Sequence, residues 1–288
     1  MDYQSLKVFL AVARFRSFTE ASEHLFLTQP AVSKRIKSLE DDLGCLLFDR
    51  VGHQIELTSA GKLLKLEASK ILREIEFTRQ KIKNLNKGIS GPLSIVTSHH
   101  IGLHRLPPIL QHLRQNFPDI DLSVQFMDSE EAYAGVLDGE IECALLTLPK
   151  YIDKQVKAFT IWQDKLRVFC ASNSELASIK KLHYQHLNDY PVILPEKKTF
   201  TREAIITYLK EKQVHCNEVR AGDYLETIKT LVECDLGWSV LPEALNNPKL
   251  KLINHLDFDL TRTLGLIHHK KRPLSKAGER LLKTLKEM

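Results

Sequence analysis

The stretch Thr28-Gln29-Pro30-Ala31-Val32-Ser33-Lys34-Arg35-Ile36-Lys37-Ser38-Leu39-Glu40 constrains this 288-residue chain more than any other. Thr28 can cap a helix, and Pro30 falls in the first turn, where its missing N–H costs nothing and its fixed φ suits helix. Val32, Ile36, Leu39 and Leu43 then recur at spacings of four, three and four, an apolar stripe that has to face a core. Gln29, Ser33 and Lys34 are left outward at the start of the helix, with Arg35, Lys37 and Ser38 beyond them. Gln can donate to and accept from adenine, Lys can donate to guanine, and Ser can serve either base, whereas Arg35 and Lys37 suit phosphates, which position without reading sequence. Taken alone, such a face is equally a solvated one, so the flanks have to decide.

Ser17-Phe18-Thr19-Glu20 has the form of a capping box, which starts a helix at Ser17 that runs to about His24. Leu25, Phe26 and Leu27 bridge to the Thr28 cap, giving a helix, a tight turn and a second helix. Leu6, Phe9, Leu10 and Ala13 mark an amphipathic helix before the pair. After it, Gly44 ends the helix, and Leu46 to Arg50 with Gln54 to Leu57 read as two short strands around Val51-Gly52-His53, a wing.

With Leu39-Glu40, Leu43-Gly44, Leu47-Phe48-Asp49-Arg50 and Leu57-Thr58-Ser59-Ala60-Gly61 added, the first ninety positions closely resemble the winged helix-turn-helix domain of LysR-type transcriptional regulators. The resemblance implies that Gln29, Pro30, Ser33 and Lys34 approach bases in the major groove, while the wing meets backbone or minor groove. Thr28, Arg35, Lys37, Arg50 and His53 complete the expected set of double-stranded DNA contacts. His53 stands where family members usually carry arginine, and a neutral imidazole is a poorer occupant of the negative minor groove than a guanidinium.

Charge placement agrees with that reading. Residues 1 to 90 hold 15 Lys or Arg against 11 Asp or Glu, a net of +4, and the remaining residues hold 26 against 25. The five cysteines show no Cys-x-x-Cys pair, and an odd number argues against a complete disulfide framework, which points to a reducing cytoplasm. The chain opens into an amphipathic helix without an export signal, and no run of roughly twenty apolar residues offers a membrane span.

From Thr58 to Lys87 there are thirty residues interrupted by neither Pro nor Gly except Gly61. Leu64, Ala68, Ile71, Ile75, Thr78, Ile82 and Leu85 alternate spacings of four and three, a heptad seam on a helix of roughly 45 Å. Such a helix is too long for the small domain before it to cover, so a coiled-coil homodimer is expected. The family's habit extends this to a homotetramer.

From Pro92 short apolar runs alternate with helical stretches, the signature of a parallel α/β sheet. The first cycle carries Leu93 to Val96, Leu122 to Phe126 and Cys143 to Leu146. The second carries Leu166 to Cys170, Val192 to Leu194, a helix from Arg202 to Lys212, Val219 to Ala221, a helix from Leu225 to Glu233, and Gly237 to Pro242. A strand over Leu264 to His268 and a helix over Ser275 to Glu287 return to the first lobe. This part resembles the family's periplasmic-binding-protein-like effector domain, notably in Leu225 to Val232 leading into Leu236-Gly237-Trp238. The expected fold class is therefore α+β multidomain: a winged helix-turn-helix over 1–58, a linker helix over 59–88, and a two-lobed α/β effector domain. Its lobes are expected at 92–160 with 265–288, and at 161–264.

The resemblance places an effector between the lobes, against Ser98, His100, Thr147, Thr199, Phe200 and Thr201. These side chains include hydroxyl and imidazole donors and no carboxylate, and helix N-termini follow the loops, so a small anion is expected. His100 and His104 would share a helix face and could bind Zn²⁺ or Ni²⁺, yet no third ligand stands near them in sequence, so no metal and no cofactor are expected. Ser98 beside His99 lacks the further partners of a nucleophile, so the chain is not read as an enzyme. His268 and His269 read as a solvated turn, and Trp162 and Trp238 as core. The expected function is ligand-responsive transcriptional regulation in the cytoplasm; the alternative, supported by the second half alone, is a solute-binding protein.

Overall fold

The computed structural model describes residues 1–51, 54–83, 89–219, 224–254 and 256–288. Two compact units divide it, Met1–Asn86 and Lys87–Met288.

In the first unit, α1 (Tyr3–Phe15), α2 (Phe18–His24) and α3 (Gln29–Leu43) are followed by β1 (Phe48–Val51), β2 (Gln54–Leu57) and α4 (Ser59–Lys83). Each start has a local cause. Asp2 accepts the backbone N–H groups of Gln4 and Ser5, and Ser17 Oγ accepts that of Glu20. Thr28 makes no side-chain cap bond, so α3 starts on Pro30 alone, and Gly44 ends it in the left-handed conformation at φ +67°. Val32, Ile36 and Leu39 are buried against Leu6, Phe9 and Val12 of α1 and Ala21 of α2, whereas Leu43, the last member of the expected stripe, is 39% exposed at the end of the helix.

The expected seam on α4 is split. Ala68 is fully buried and Leu64 and Ile71 pack in the same core, so these three positions are held by the chain's own domain. Arg79 also lies over the Tyr3 ring, 4.8 Å from its centroid. The small domain therefore covers more of this helix than its length suggested. Leu63, Leu66 and Ile82 are left 63%, 59% and 63% exposed, and Leu85 lies outside the described residues. The described helix has 25 residues, about 37 Å.

The second unit begins with β3 (Gly91–Thr97), α5 (His99–His104), α6 (Leu106–Asn116), β4 (Ile120–Phe126), α7 (Ser129–Leu137) and β5 (Cys143–Thr147). It continues through β6 (Val156–Ala171), α8 (Glu175–Ser178), β7 (Val192–Ile193), α9 (Phe200–Glu211), β8 (Glu218–Val219) and α10 (Leu225–Glu233). β9 (Ser239–Pro242), β10 (Leu250–Leu252), β11 (Leu260–His269) and α11 (Lys276–Glu287) complete it. Seven strands form one sheet in the order β10-β6-β11-β5-β3-β4, with β9 also on β6. β3 pairs in parallel with β4 and β5, whereas β11 runs antiparallel to β5 and β6, so the sheet is mixed where a parallel one was expected.

The two lobes have separate cores. Leu93, Ile95, Leu106, Leu145 and Leu281 fill the first, and Leu166, Val168, Leu187, Ile205 and Trp238 the second. β6 and β11 belong to both, pairing from Leu260 with Leu166 to His269 with Val156. β6 starts ten residues before the Leu166 of the sequence reading, because Val156 to Gln163 mixes Lys157, Phe159, Thr160 and Trp162 without a clean period. Val219 opens the expected Val219 to Ala221 strand, but Arg220 and Ala221 lie outside the described residues. His268 is not in a solvated turn: it is buried on β11, stacks on Phe159, and its Nδ1–H faces the carbonyls of His269 and Arg272.

Candidate functional site

At the start of α3, Thr28, Gln29, Pro30, Lys34, Arg35 and Lys37 are exposed and Ser33 is half-buried. Gln29 Nε2 donates to Ser33 Oγ at 3.0 Å, which sets the first two base-reading side chains relative to each other before anything binds. At the other end, Glu40 Oε1 accepts the backbone N–H groups of Leu47 at 2.8 Å and Phe48 at 3.4 Å and so anchors the wing to α3. Arg50 sits on β1 opposite Ile55, and His53 lies outside the described residues. The basic excess needs a correction: residues 1 to 58 hold 7 Lys or Arg against 8 Asp or Glu, so the surplus belongs to α4 and the segment after it. What serves the reader is local sorting, with Lys34, Arg35 and Lys37 forward and Asp41 and Asp42 at the rear.

Between the lobes of the second unit, the structure brings five of the six expected effector residues together. Ser98, His100, Thr147, Thr199 and Thr201 line one cavity of about 60 Å³, space for a few water molecules. Phe200 lines a separate, larger cavity of about 770 Å³, which shares only Thr147 and Arg262 with the first. Ser98 precedes α5 without capping it, and the backbone N–H of Thr147 donates to Ser129 Oγ at 3.1 Å. Thr199 is already engaged, since Oγ1 accepts from the backbone of Arg202 and donates to Glu196 O. Thr201 Oγ1 accepts from Arg262 Nη1 at 3.2 Å.

Behind this cavity, through His100 and Arg262 of its lining, is a charge cluster centred on the buried Asp164. Asp164 on β6 pairs in register with Arg262 on β11, and its Oδ2 accepts from Arg262 Nη2 at 2.9 Å. Its Oδ1 accepts from Arg105 Nη2 at 2.8 Å, and His100 Nε2 lies 3.2 Å from Oδ2. Burial pushes the Asp164 carboxyl up, but the His100 ring and the Arg262 and Arg105 guanidinium groups outweigh it and hold it well below the usual carboxylate range. His100, only 5% exposed, is thus inside the site and not in solvent.

Carboxylates also clasp the lobes from above. Phe200 N–H, at the start of α9, donates to Glu130 Oε1 at 2.5 Å. Burial pushes the Glu130 carboxyl up, against the pull of that N–H. Glu226 on α10 reaches across to His100 Nδ1 at 3.2 Å and His104 Nε2 at 2.9 Å. The rings of His99 and Tyr224 meet across the same gap, with centroids 3.9 Å apart.

These contacts count against the expected anion. The N-terminus of α9 is taken by Glu130, and Asp128, Glu130 and Glu226 line the cavity against Arg262, which is spent on Asp164. They also remove the ground for discounting a metal, because Glu226, 122 residues from His104, supplies the third donor that the local sequence lacked. Glu130, Asp164, Glu226 and Arg262 escaped the sequence reading. The two glutamates sit in first turns of helices, where an acid is ordinary, and Asp164 and Arg262 sit in strands that carry other polar residues, Lys165, Arg167 and Thr263 among them, so neither stands out.

The model for the LysR substrate binding domain matches residues 86–288, and that for the bacterial regulatory helix-turn-helix protein, lysR family, matches residues 3–62. The chain belongs to the LysR family of transcriptional regulators. This LysR-family regulator is 56% identical over 108 residues, 38% of its length and 75% of the relative's, to an uncharacterized HTH-type transcriptional regulator in the ibpB-leuC intergenic region of Azotobacter vinelandii. It is 29% identical over 295 residues, 99% of its length and 96% of the relative's, to a probable RuBisCO transcriptional regulator of Phaeodactylum tricornutum. Its fold is that of CbnR solved in complex with target DNA, at a TM-score of 0.73 and 20% identity, over 100% of this chain and 99% of the other. The helix-turn-helix match takes in α1 to α3 and the wing, and the substrate-binding match takes in the whole cleft. No helix among the described residues is long and apolar enough to cross a membrane.

Proposed function

We propose that this regulator binds a specific double-stranded DNA site through Gln29, Pro30, Ser33 and Lys34 on bases, with Thr28, Arg35, Lys37, Arg50 and His53 on the backbone or minor groove. The observation that carries this is the exposed start of α3, where Gln29 and Ser33 are held together and Lys34 stands free beside them. The effector, a small polar ligand, enters the cavity of about 60 Å³ against Ser98, His100, Thr147, Thr199 and Thr201. Phe200 lines the larger neighbouring cavity. The protein acts in the cytoplasm, without catalysis, as a homodimer through α4 that pairs into a homotetramer. A solute-binding role would leave the whole of residues 3–62 unused.

A gel shift of the full-length protein on the DNA upstream of its own gene tests the reading. Retardation that competitor DNA does not abolish is expected, and Gln29→Ala should remove the preference for that DNA. Equal binding to unrelated DNA by both proteins would overturn it.

A further inference from the structure

His100 and His104 stand one turn apart on α5 in the first lobe, and Glu226 stands in the first turn of α10 in the second. One ring nitrogen from each histidine and one Glu226 oxygen all lie within 4.8 Å of one another. Glu226 Oε1 is 3.2 Å from His100 Nδ1 and 2.9 Å from His104 Nε2. Ligands about 2.0–2.1 Å from a tetrahedral ion are separated by about 3.3 Å, so the trio needs little rearrangement to share one.

The hydrogen-bond inventory points the same way. A neutral imidazole carries one N–H, and His100 presents both ring nitrogens to carboxylates, Nε2 to Asp164 Oδ2 and Nδ1 to Glu226 Oε1. With Nε2–H of a neutral ring donated to Asp164, Nδ1 and Glu226 face each other as two acceptors, and either a second ring proton or a cation between them reconciles the pair. A carboxylate behind a ligating histidine also fixes the ring and its tautomer, and Asp164 is itself immobilised by Arg105 and Arg262. Glu226 Oε2 is buried with no hydrogen-bond partner, a second lone-pair donor at the same spot. Two imidazoles and one carboxylate, with no thiolate, suit borderline divalent ions.

We propose that His100, His104 and Glu226 form a divalent transition-metal site, for Zn²⁺, Co²⁺ or Ni²⁺, that ties the two lobes of the effector domain together. The cavity that borders His100 and Glu226 gives the ion an open position for water or an effector atom. The acidic lining described above, unhelpful to an anion, suits this occupant. Metal binding stands on this geometry alone; only its bearing on DNA depends on the proposed function.

The test uses full-length protein stripped with a chelator and dialysed, then titrated separately with zinc and cobalt salts. One ion per chain is expected by calorimetry, with the visible bands of low-coordinate Co²⁺. His104→Ala and Glu226→Gln should each weaken binding at least tenfold. His183→Ala, at another histidine pair on the surface, should leave it unchanged. His104 is exposed, so its truncation leaves the core intact, and circular dichroism checks the fold of each variant. No binding by the wild type, or equal binding by wild type, His104→Ala and Glu226→Gln, overturns the site. Site-dependent metal binding by a protein that retards no DNA upholds the site and overturns the regulator reading instead.

Discussion

Arg262 and Asp164 face each other across the β6–β11 ladder, and Asp164 Oδ2 accepts both Nε and Nη2 of Arg262, at 3.3 and 2.9 Å. Asp164 is 3% exposed and Arg262 6%, so neither charge has water to fall back on. Asp164→Ala should cost about 3–5 kcal/mol, because it leaves a buried guanidinium without its partner. Replacing both residues by apolar ones of similar volume should cost much less. Denaturant unfolding of the full chain measures both, and a small cost for the single variant would show that the pair is not holding the waist.

The same carboxylate carries a pH dependence. Its folded pKa is depressed, so its contribution is fully present above the ordinary aspartate value of 3.8 and is lost as pH falls below it. Thermal midpoints should therefore drop between about pH 4 and pH 2, and the drop should shrink in Asp164→Asn.

For DNA reading, Lys34→Ala should lose about 1–3 kcal/mol on the specific site. Arg35→Ala should weaken all sequences alike and reduce the salt slope by about one. Binding titrations at several salt concentrations separate the two, and an undiminished Lys34→Ala complex would remove the base contact.

The apolar side chains on α4 that its own domain leaves exposed define where a partner helix can lie. Leu66→Lys combined with Ile82→Lys should give monomers by light scattering with the domain still folded, since neither belongs to the core. Ile71→Lys should instead unfold the domain. An unchanged mass in the Leu66/Ile82 variant would place the dimer contact elsewhere.

Gly237 sits at φ +153°, and a Cβ there would come within 2.4 Å of Pro191 O. Gly237→Ala should cost about 1–3 kcal/mol. It would also displace Trp238, whose Nε1 donates to Leu187 O and Tyr190 O.

The reader was legible because its signals are local: a proline, a four-three stripe and a glycine lie within twenty residues, although the Thr28 cap bond does not form. The cleft was half legible. Ser98, Thr147 and Thr201 came from the family resemblance, which maps ligand contacts onto strand and helix ends, but Glu226 reaches His100 over 126 positions and Asp164 meets Arg262 over 98, separations that no periodicity encodes. The seam on α4 was read only in part for a related reason, because a heptad specifies only that a face is apolar. It does not say whether the chain's own α1 or a second chain covers that face.

β6 and β11 pass from one lobe to the other as a ten-rung antiparallel ladder interrupted only by a register shift between Leu264 and Gly265. A paired ribbon of this kind behaves as a leaf spring and not as a free pivot: its rungs resist shear, and its compliance is concentrated at the irregular step. Any movement of one lobe against the other therefore has to flex this ribbon, and the step between Leu264 and Gly265 is where its ladder offers least resistance.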